Sequence, residues 1–374
     1  MKIAIPKETK VKENRVAITP DTIKDLITKG FSCTIEKGAG ENSYYKDDVY
    51  AAAGATIANS RKELFTNADI VLAVNPPGAE DIASMKKEAV LISFMYAAMH
   101  PDLVKACAGA GITAFSVDAI PRISRAQKMD ALSSQANLAG YKSVIIAADA
   151  LGKIFPLLMT AAGTLKPSKV VIMGAGVAGL QAIATAKRLG AIVEVSDIRP
   201  ETKEQVQSLG GKFIELKGDD TVKMEGGYVT NVSEDFLKKQ QELIGKHVAD
   251  ADIVITTALI PGRKAPVLLT EAMVKAMRNG SVIVDMAVEQ GGNVIGSEMN
   301  KTVVTPNGVK IIGESNLPAM LPLNASDLYA KNISTFLYHL ASKDGFKWEM
   351  EEEITKGSLI VHKGVPVHPS VKQS

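Results

Sequence analysis

The 374-residue sequence has few of the features that mark several common kinds of protein. Its two cysteines, Cys33 and Cys107, lie in apolar segments, so we expect buried, reduced thiols and a reducing compartment rather than a disulfide framework. Lys and Arg (43) nearly balance Asp and Glu (41), and the net charge of +2 supplies no basic surface for nucleic acid. The composition, 46% apolar and 22% charged, is that of a soluble globular protein, and the length predicts two domains.

Signals for membrane insertion or export are lacking as well. No stretch reaches the roughly 18 consecutive apolar residues that a membrane helix needs. The closest candidate, Ser143–Gly163, is interrupted by Asp149, Lys153 and Pro156. The N-terminal sequence MKIAIPKETK contains no apolar segment typical of a signal peptide. We therefore expect a protein that does not span a membrane by itself.

The sequence also gives little support for metal-dependent or nucleophilic catalysis. The five histidines are His100, His247, His339, His362 and His368. None of them has a cysteine or a second histidine at the spacing of metal ligands. No G-x-S-x-G motif occurs. No metal site is predicted.

A glycine-rich segment, VVIMGAGVAGL over Val170–Leu180, is the most informative part of the chain. Gly174, Gly176 and Gly179 form a G-x-G-x-x-G motif between a predicted strand and a predicted helix. The first glycine permits a tight turn, the second allows the backbone to approach a pyrophosphate, and the third allows close packing of helix and strand. The helix N-terminus then stabilises the anion. The segment predicts a dinucleotide-binding turn.

An acidic residue follows where such a turn needs one. The predicted strand Ala191–Ser196 ends at Asp197, 21 residues beyond Gly176. A carboxylate there accepts hydrogen bonds from the adenosine ribose hydroxyls and repels a 2′-phosphate, which favours NAD(H) over NADP(H). Arg199 is of the kind that accommodates a 2′-phosphate, but the acid lies at the strand tip and is given more weight. An ordinary βαβ unit with a solvated Asp197 remains the alternative.

Strand and helix patterns alternate from the first residue, which predicts an α/β fold with two doubly wound, Rossmann-like parallel sheets. Long helices are expected from Asp130 or Ala131 to Phe155 and over Asn324–Leu340, and a last strand over Ser358–His362 is expected to return to the first domain. We predict a discontinuous first domain (1–130 plus 330–374), a dinucleotide-binding domain (131–329) and a cleft between them. The predicted strands are Lys2–Ile5, Ser32–Glu36, Ile70–Val74, Val90–Met95, Ile112–Val117, Lys212–Leu216, Asp252–Thr256, Ser281–Asp285 and Val309–Gly313.

Polar residues are concentrated in Pro121–Tyr141, PRISRAQKMDALSSQANLAGY, where a scaffold would favour an apolar crossing. A nicotinamide carboxamide presents one acceptor and two donors beside a ribose diol. Arg122, Asp130 and Ser133 have the matching donors and acceptors. A solvated connection is the alternative. A second polar stretch, residues 218–233, is either a surface loop or a mobile lid that carries Tyr228.

Three segments, residues 121–141, 163–213 and 255–266, together resemble the NAD(H)-binding alpha-1 subunits of proton-translocating nicotinamide nucleotide transhydrogenases. The similarity covers nearly the whole chain, and the RISRAQ-x-MD segment is its specific part. The family shares its fold with alanine dehydrogenase. The resemblance implies NAD(H) as cofactor, NADP(H) on a partner subunit, a homodimer, and membrane subunits that carry the proton channel. It also implies a cytoplasmic location, peripheral to the inner membrane.

The resemblance also implies roles for individual residues. Arg122, Gln127, Asp130 and Ser133 would form the catalytic polar loop at the nicotinamide, and Gln127 would reach toward the partner subunit. Since the reaction joins two nicotinamides whose C4 atoms must come within about 3–3.5 Å, catalysis would be mainly positioning, with re/si specificity. The implied NAD(H) contacts are Arg122, Ile123, Ser124, Gln127, Lys128, Met129, Asp130, Ser133, Gly174, Ala175, Gly176, Val177, Gly179, Asp197, Ile198, Arg199, Gly227, Tyr228, Gln240 and Leu259.

Alanine dehydrogenase is the main alternative, and a non-catalytic NAD-binding module is the third. The amino-acid enzymes are expected to carry a lysine and a histidine where this chain has Asn75 and Tyr96, and an acid in the Gly-Gly loop that is here Glu289. Reducing an imino acid needs a proton donor and a carboxylate anchor. Arg15 remains as a possible anchor, whereas His100 is a weak substitute for the missing donor. Hydride transfer between two nicotinamides needs no proton donor.

Overall fold

The structure is a computed structural model that describes residues 1–215, 223–225, 228–231, 234–259 and 264–371. The predicted contact Gly227 lies outside these residues, and so do the side chains of Tyr228 and Gln240. The chain forms two compact units, Met1–Gln135 with Pro318–Ser374, and Ala136–Leu317. The unit boundaries fall at 135/136 and 317/318, where the sequence pattern predicts 130/131 and 329/330.

The helices are α1 (Pro20–Thr28), α2 (Asp47–Ala52), α3 (Arg61–Asn67), α4 (Ala79–Ser84), α5 (Pro101–Gly109), α6 (Ala131–Ala150), α7 (Val177–Arg188), α8 (Thr202–Ser208), α9 (Glu234–Ala249), α10 (Glu271–Ala276), α11 (Pro322–Leu340) and α12 (Glu353–Ser358). Short 3₁₀ helices also occur, and Ser124–Met129 is the one that bears on the site.

The first unit is built on one mixed sheet. Its strands are β1 (Lys2–Ile5), β2 (Ser32–Glu36), β3 (Thr56–Ala58), β4 (Ile70–Leu72), β5 (Val90–Ser93), β6 (Thr113–Ser116), and, from the C-terminal segment, β20 (Leu359–His362) and β21 (Val365–Pro366). The order is β21-β20-β6-β5-β4-β1-β2-β3. β1 to β6 are parallel, whereas β20 pairs antiparallel with β6 and β21 antiparallel with β20. The C-terminal strand thus returns to the first unit, as the sequence predicted.

The second unit has its own sheet, with strands β9 (Lys169–Met173), β10 (Ile192–Ser196), β11 (Lys212–Phe213), β14 (Ile253–Thr256), β15 (Val282–Asp285), β16 (Thr302–Val304) and β17 (Lys310–Ile312). The order is β11-β10-β9-β14-β15-β17-β16, and among these described strands β16 alone pairs antiparallel. Hairpins are formed by β7 (Leu158–Thr160) with β8 (Gly163–Leu165), β12 (Lys223–Glu225) with β13 (Tyr228–Asn231), and β18 (Ala341–Ser342) with β19 (Gly345–Phe346).

Both sheets are covered on both faces, which is why their strands are continuously apolar. In β1, Ile3 and Ile5 face a core shared with α1 and α11, while Ala4 faces a second core under α3, α4 and α5. In β9, Val170 packs with residues of α6 and α7, and Val171 packs with α9 and α10. Because the carboxyl ends of parallel strands meet at one edge, each sheet gathers its loops there. The doubly wound α/β fold class is confirmed, with antiparallel edge strands added.

Two local predictions need correction. The long helix expected to reach Phe155 ends at Ala150, where the ammonium group of Lys310 donates a 2.8 Å hydrogen bond to the Ala150 carbonyl. A cation that satisfies a C-terminal carbonyl ends a helix well, and Gly152 follows two residues later. The β7–β8 hairpin was not predicted, because its apolar residues are exposed and its strands are only three residues long.

The predicted state of the cysteines is confirmed. Cys33 and Cys107 are both buried free thiols. Burial raises the pKa of each to about 12, so neither is a reactive thiolate at neutral pH. In the part of the chain that the structure describes, no helix combines the length and the apolar character needed to cross a bilayer.

Candidate functional site: a glycine turn and a polar pocket

The glycine turn between β9 and α7 adopts a conformation that its glycines require. Gly174 has φ +106°, and a Cβ there would lie 2.4 Å from the Thr257 hydroxyl. A Cβ on Gly179 would lie 1.9 Å from the Gly174 carbonyl oxygen, so helix and turn touch at this point. A Cβ on Gly176 would meet none of the described atoms within 4 Å. The position at which a pyrophosphate would approach is therefore open.

The first turn of α7 is suited to an anion. Gly176 is its N-cap, and none of the described side chains caps the helix. Val177, the first helical residue, is exposed, whereas Ala175 is buried beneath the turn. The backbone N–H groups of a first helical turn have no partner within their helix, and the helix dipole adds positive charge at the same end. The arrangement fits a phosphate group, as the sequence indicated.

Three polar residues that sequence reasoning missed hold the surroundings of this turn. The Thr257 hydroxyl, just after β14, donates to the Gly174 carbonyl at 3.1 Å. Asn293 accepts from Ala258 N at 3.1 Å and donates to the carbonyls of Ala258 and Pro266. The buried carboxylate of Asp285 in turn accepts from Asn293 N. Leu259, a predicted cofactor contact, directly follows the fixed Ala258 and is exposed.

A signal for these residues existed in the sequence. Thr257 directly follows the predicted strand that ends at Thr256, and Asp285 is the last residue of the next predicted strand. Polar side chains at the carboxyl ends of parallel strands commonly serve the site. The contact of Asn293 with Ala258, 35 positions away, had no such signal.

Asp197, at the end of β10, is engaged on both oxygens. Oδ2 accepts from Ala175 N at 2.6 Å and from the Arg199 guanidinium at 2.9 Å. Oδ1 accepts from Arg199 N at 2.8 Å and Arg199 Nε at 3.0 Å. The carboxylate is thus attached to the glycine turn through Ala175. Ile198, between the two charged residues, is exposed.

In the first unit, the polar segment after β6 forms a pocket of its own. The pocket is lined by Pro121, Arg122, Ile123, Ser124, Ala126, Gln127 and Asp130. Five of the predicted cofactor contacts are therefore brought together. Arg122 and Gln127 are exposed, so both side chains are accessible to a ligand.

Two further predicted residues, Asp130 and Ser133, contact each other. The Asp130 carboxylate accepts from Ser133 N at 2.8 Å and from the Ser133 hydroxyl at 2.5 Å. These are the bonds of an N-terminal helix cap, and they start α6. A carboxylate has about four lone-pair positions, so Asp130 keeps capacity to accept from a ligand amide.

The 3₁₀ helix that carries this pocket is anchored from below. Ala126 and Met129 are buried in the core of the first unit, and Asn332 of α11 donates to the Lys128 carbonyl at 2.8 Å. The buried Met129 side chain leaves only its backbone for a ligand, whereas Lys128 is exposed. Arg125 forms an ion pair with Glu352 at 2.8 Å. The pocket is therefore held in place by core packing and by polar contacts.

The expected carboxylate anchor, Arg15, is not available in this structure. Arg15 Nε and one terminal nitrogen donate to the two oxygens of Glu13 at 2.8 and 2.6 Å, and the other donates to Gln135 Oε1 at 2.9 Å. Burial alone would raise the pKa of Glu13, but the charge and hydrogen bonds of Arg15 hold it at about 2. The guanidinium is thus saturated, which corrects the expectation that Arg15 could bind a substrate carboxylate.

Asn75 is consumed in the same cluster. Its amide nitrogen donates to Glu8 at 3.0 Å and to Glu13 at 2.9 Å, so both amide protons are used. Burial is the main cause that raises the pKa of Glu8, to about 7. Tyr96 has φ +45°, and the Asp118 carboxylate accepts from its backbone N–H. Neither Asn75 nor Tyr96 supplies a proton donor of the lysine or histidine kind.

Comparison with known proteins places these two units together in one family. A family model described as "Alanine dehydrogenase/PNT, N-terminal domain" matches residues 4–139, and its C-terminal counterpart matches residues 143–369. The chain belongs to the alanine dehydrogenase/PNT family. The resemblance seen in the sequence is confirmed, and the chain is related to NAD(P) oxidoreductases with a Rossmann-like nucleotide-binding fold.

Three relatives define its position within the family. The first of the polypeptides that make up the alpha subunit of the NAD(P) transhydrogenase of Rhodospirillum rubrum is 48% identical over 380 residues, with 99% of each chain covered. The alanine dehydrogenase of Bacillus subtilis is 31% identical, with 99% of this chain and 94% of that protein covered. The crystal structure of a transhydrogenase from Sinorhizobium meliloti superposes with a TM-score of 0.90 at 44% identity, covering 98% of this chain and 100% of that chain.

The two glycines of the turn give a matched test. Gly179→Ala forces a methyl group onto the Gly174 carbonyl, so we expect a loss of about 1–3 kcal/mol in the free energy of unfolding. Gly176→Ala has room and an allowed φ of −75°, so its loss stays at about 1 kcal/mol or less, while dinucleotide affinity falls. Urea denaturation and dinucleotide titration measure both effects. Equal stability of the two variants would contradict the packing described for the turn.

Glu8 should make stability depend on pH. Because the folded-state pKa is raised above the usual 4.5 to about 7, protonated Glu8 stabilises the fold below pH 4.5, and this contribution is lost as the pH rises toward 7. Glu8→Gln removes the titration. Relative to the native protein, the variant should gain on the order of 1 kcal/mol between about pH 5 and about pH 8. Glu80→Gln, an exposed control, should show no such gain. A flat difference for Glu8→Gln would refute the raised pKa.

Proposed function

We propose that this chain is the NAD(H)-binding component of a proton-translocating NAD(P) transhydrogenase. It would transfer hydride between NADH and NADP⁺ held by a partner subunit. The observation that carries the proposal is the saturated Arg15–Glu13–Asn75 cluster. An amino-acid dehydrogenase needs a carboxylate anchor and a proton donor there. Hydride exchange between two nicotinamides needs neither.

The position of NAD(H) follows from the two groups of polar residues. The pyrophosphate would lie on the turn formed by Gly174, Ala175, Gly176, Val177 and Gly179, and the adenosine ribose would bind Asp197 beside Ile198 and Arg199. The nicotinamide carboxamide and its ribose would meet Arg122, Gln127, Asp130 and Ser133, with Ile123, Ser124, Lys128 and Met129 in the same segment. Gly227, Tyr228, Gln240 and Leu259 remain proposed further contacts.

The reaction is NADH + NADP⁺ ⇌ NAD⁺ + NADPH. A hydride, with both electrons of the C4–H bond, leaves the NADH ring and forms the new C4–H bond of NADPH, so no proton enters or leaves at this step. With no acid or base required, the contribution of the protein is to hold the two rings at about 3–3.5 Å. The anchored 3₁₀ helix is suited to such positioning, because its backbone is fixed by Ala126, Met129 and Asn332.

We also propose that the chain acts as a homodimer, attached peripherally to the cytoplasmic side of the inner membrane through membrane subunits. The β7–β8 hairpin supports self-association. Leu157, Leu158, Met159 and Leu165 are exposed on or beside it. A cluster of exposed large apolar side chains usually marks a protein interface.

Gln127→Ala tests the proposed reaction. With the purified NADP(H)-binding component added, hydride transfer from NADH should slow by about tenfold or more, while the Kd for NADH changes by less than about threefold. Stopped-flow absorbance measures transfer, and calorimetry measures binding. The exposed Gln207→Ala on α8 is the control. Transfer by Gln127→Ala at the native rate would refute the role of this side chain. Oxidation of NADH by pyruvate and ammonia without the partner would favour alanine dehydrogenase activity.

Met159→Asp tests the dimer. A carboxylate at this position, 75% exposed in the single chain, should be costly to bury, so we expect the variant to sediment as a monomer at micromolar concentration. Val304→Asp changes a similarly exposed apolar residue on β16 and should leave the association unchanged. Analytical ultracentrifugation measures both. A native chain that sediments as a monomer at the same concentration would rule out the dimer.

A further inference from the structure

We infer that the Arg199 side chain competes with NAD(H) for the Asp197 carboxylate. The side chain would have to leave the carboxylate before the adenosine ribose binds. The displaced guanidinium would then lie at the 2′ position and narrow the preference for NADH over NADPH. The inference rests on the proposed binding of NAD(H) at Asp197. It assigns Arg199 a role in specificity that the glycine motif does not contain.

The hydrogen bonds of Asp197 carry the first step. A carboxylate offers about four lone-pair positions, and in this structure four donors already use them. Two donors are backbone N–H groups, those of Ala175 at 2.6 Å and Arg199 at 2.8 Å. The other two are Nε and a terminal nitrogen of the Arg199 side chain, at 3.0 and 2.9 Å. Two ribose hydroxyls therefore find no vacant acceptor.

The difference in burial shows which group can yield. The Asp197 side chain is 5% exposed and is attached to the buried turn through Ala175, whereas the Arg199 side chain is 33% exposed. Moving Asp197 would break the contact with the turn. Rotating the Arg199 side chain outward breaks its two guanidinium bonds to Asp197 and places the cation in water, where it is well solvated. Two acceptor positions then become available, which is the number a ribose diol needs.

The cost of this exchange appears as weaker NADH binding. The apparent Kd is the intrinsic Kd divided by the fraction of molecules in the competent form. If the closed pair is populated about four to one over the open form, removing the guanidinium should tighten NADH binding about fivefold. The effect on NADPH is of opposite sign, because the 2′-phosphate loses its bidentate cation and meets an uncompensated Asp197. The two dinucleotides should therefore respond to one substitution in opposite directions.

Three variants test the inference by calorimetric titration with NADH and with NADPH. Arg199→Ala should bind NADH about fivefold more tightly than the native chain and NADPH more weakly. Arg199→Lys keeps the positive charge but loses the bidentate geometry, so NADH binding should tighten while NADPH binding is largely retained. Arg188→Ala removes the same charge from the exposed C-terminal end of α7 and should change neither affinity. Thermal melts verify that each variant is folded.

The displacement itself can be read without an affinity measurement. In a ¹⁵N NMR spectrum the Nε–H signal of Arg199, assigned by its loss in Arg199→Lys, should shift on addition of NADH and should sharpen toward its solvent-exposed value. Unchanged or weaker NADH binding by Arg199→Ala, or an Nε–H signal that NADH leaves in place, would overturn the competition. If the native chain binds neither dinucleotide, the proposed function fails first and the inference fails with it. Native NADH binding with no change on substitution refutes the inference alone.

Discussion

The contact between α7 and the Gly174 carbonyl is the constraint on which the dinucleotide-binding unit depends. Only a residue without a Cβ at Gly179 lets the helix start this close to the strand, since an added Cβ would be 1.9 Å from the carbonyl oxygen. The helix N-terminus is thereby brought to the carboxyl edge of the sheet. Thr257 donates to the same carbonyl, and Asp197 reaches the turn through Ala175. One close approach therefore positions the anion site, the ribose acid and the loop after β14.

Two arginine–carboxylate pairs give the two units contrasting properties. The Arg15–Glu13 pair is buried, and Gln135 and Asn75 complete its hydrogen bonds, so breaking it would leave charges without partners at high cost. The Arg199–Asp197 pair has a one-third-exposed guanidinium that can return to water. A cluster that cannot open suits a scaffold that positions a ring. A pair that can open suits a site that exchanges its ligand.

Much of the fold was predictable because apolar runs define strand interiors, and the predicted bounds of β1 and β2 agree with those observed. The carboxyl ends were less predictable. The strand expected to reach Met95 ends at Ser93, because the N–H of Met95 donates to the side chains of Ser116 and Asp118, which are over 20 positions away. The glycine turn could be predicted since each glycine meets a local backbone requirement. The saturation of Arg15 could not, since Gln135 is 120 positions away.

The fate of a deuterium label tests the central claim, direct transfer without a proton donor, most directly. NADH deuterated at the transferable C4 position would be mixed with this chain, the NADP(H)-binding component and an NADP⁺ analogue, and the reduced product would be analysed by mass spectrometry. The account predicts that all transferred deuterium appears in the reduced analogue and none in water. Loss of the label to solvent, or its appearance in alanine when pyruvate and ammonia are supplied, would contradict the account.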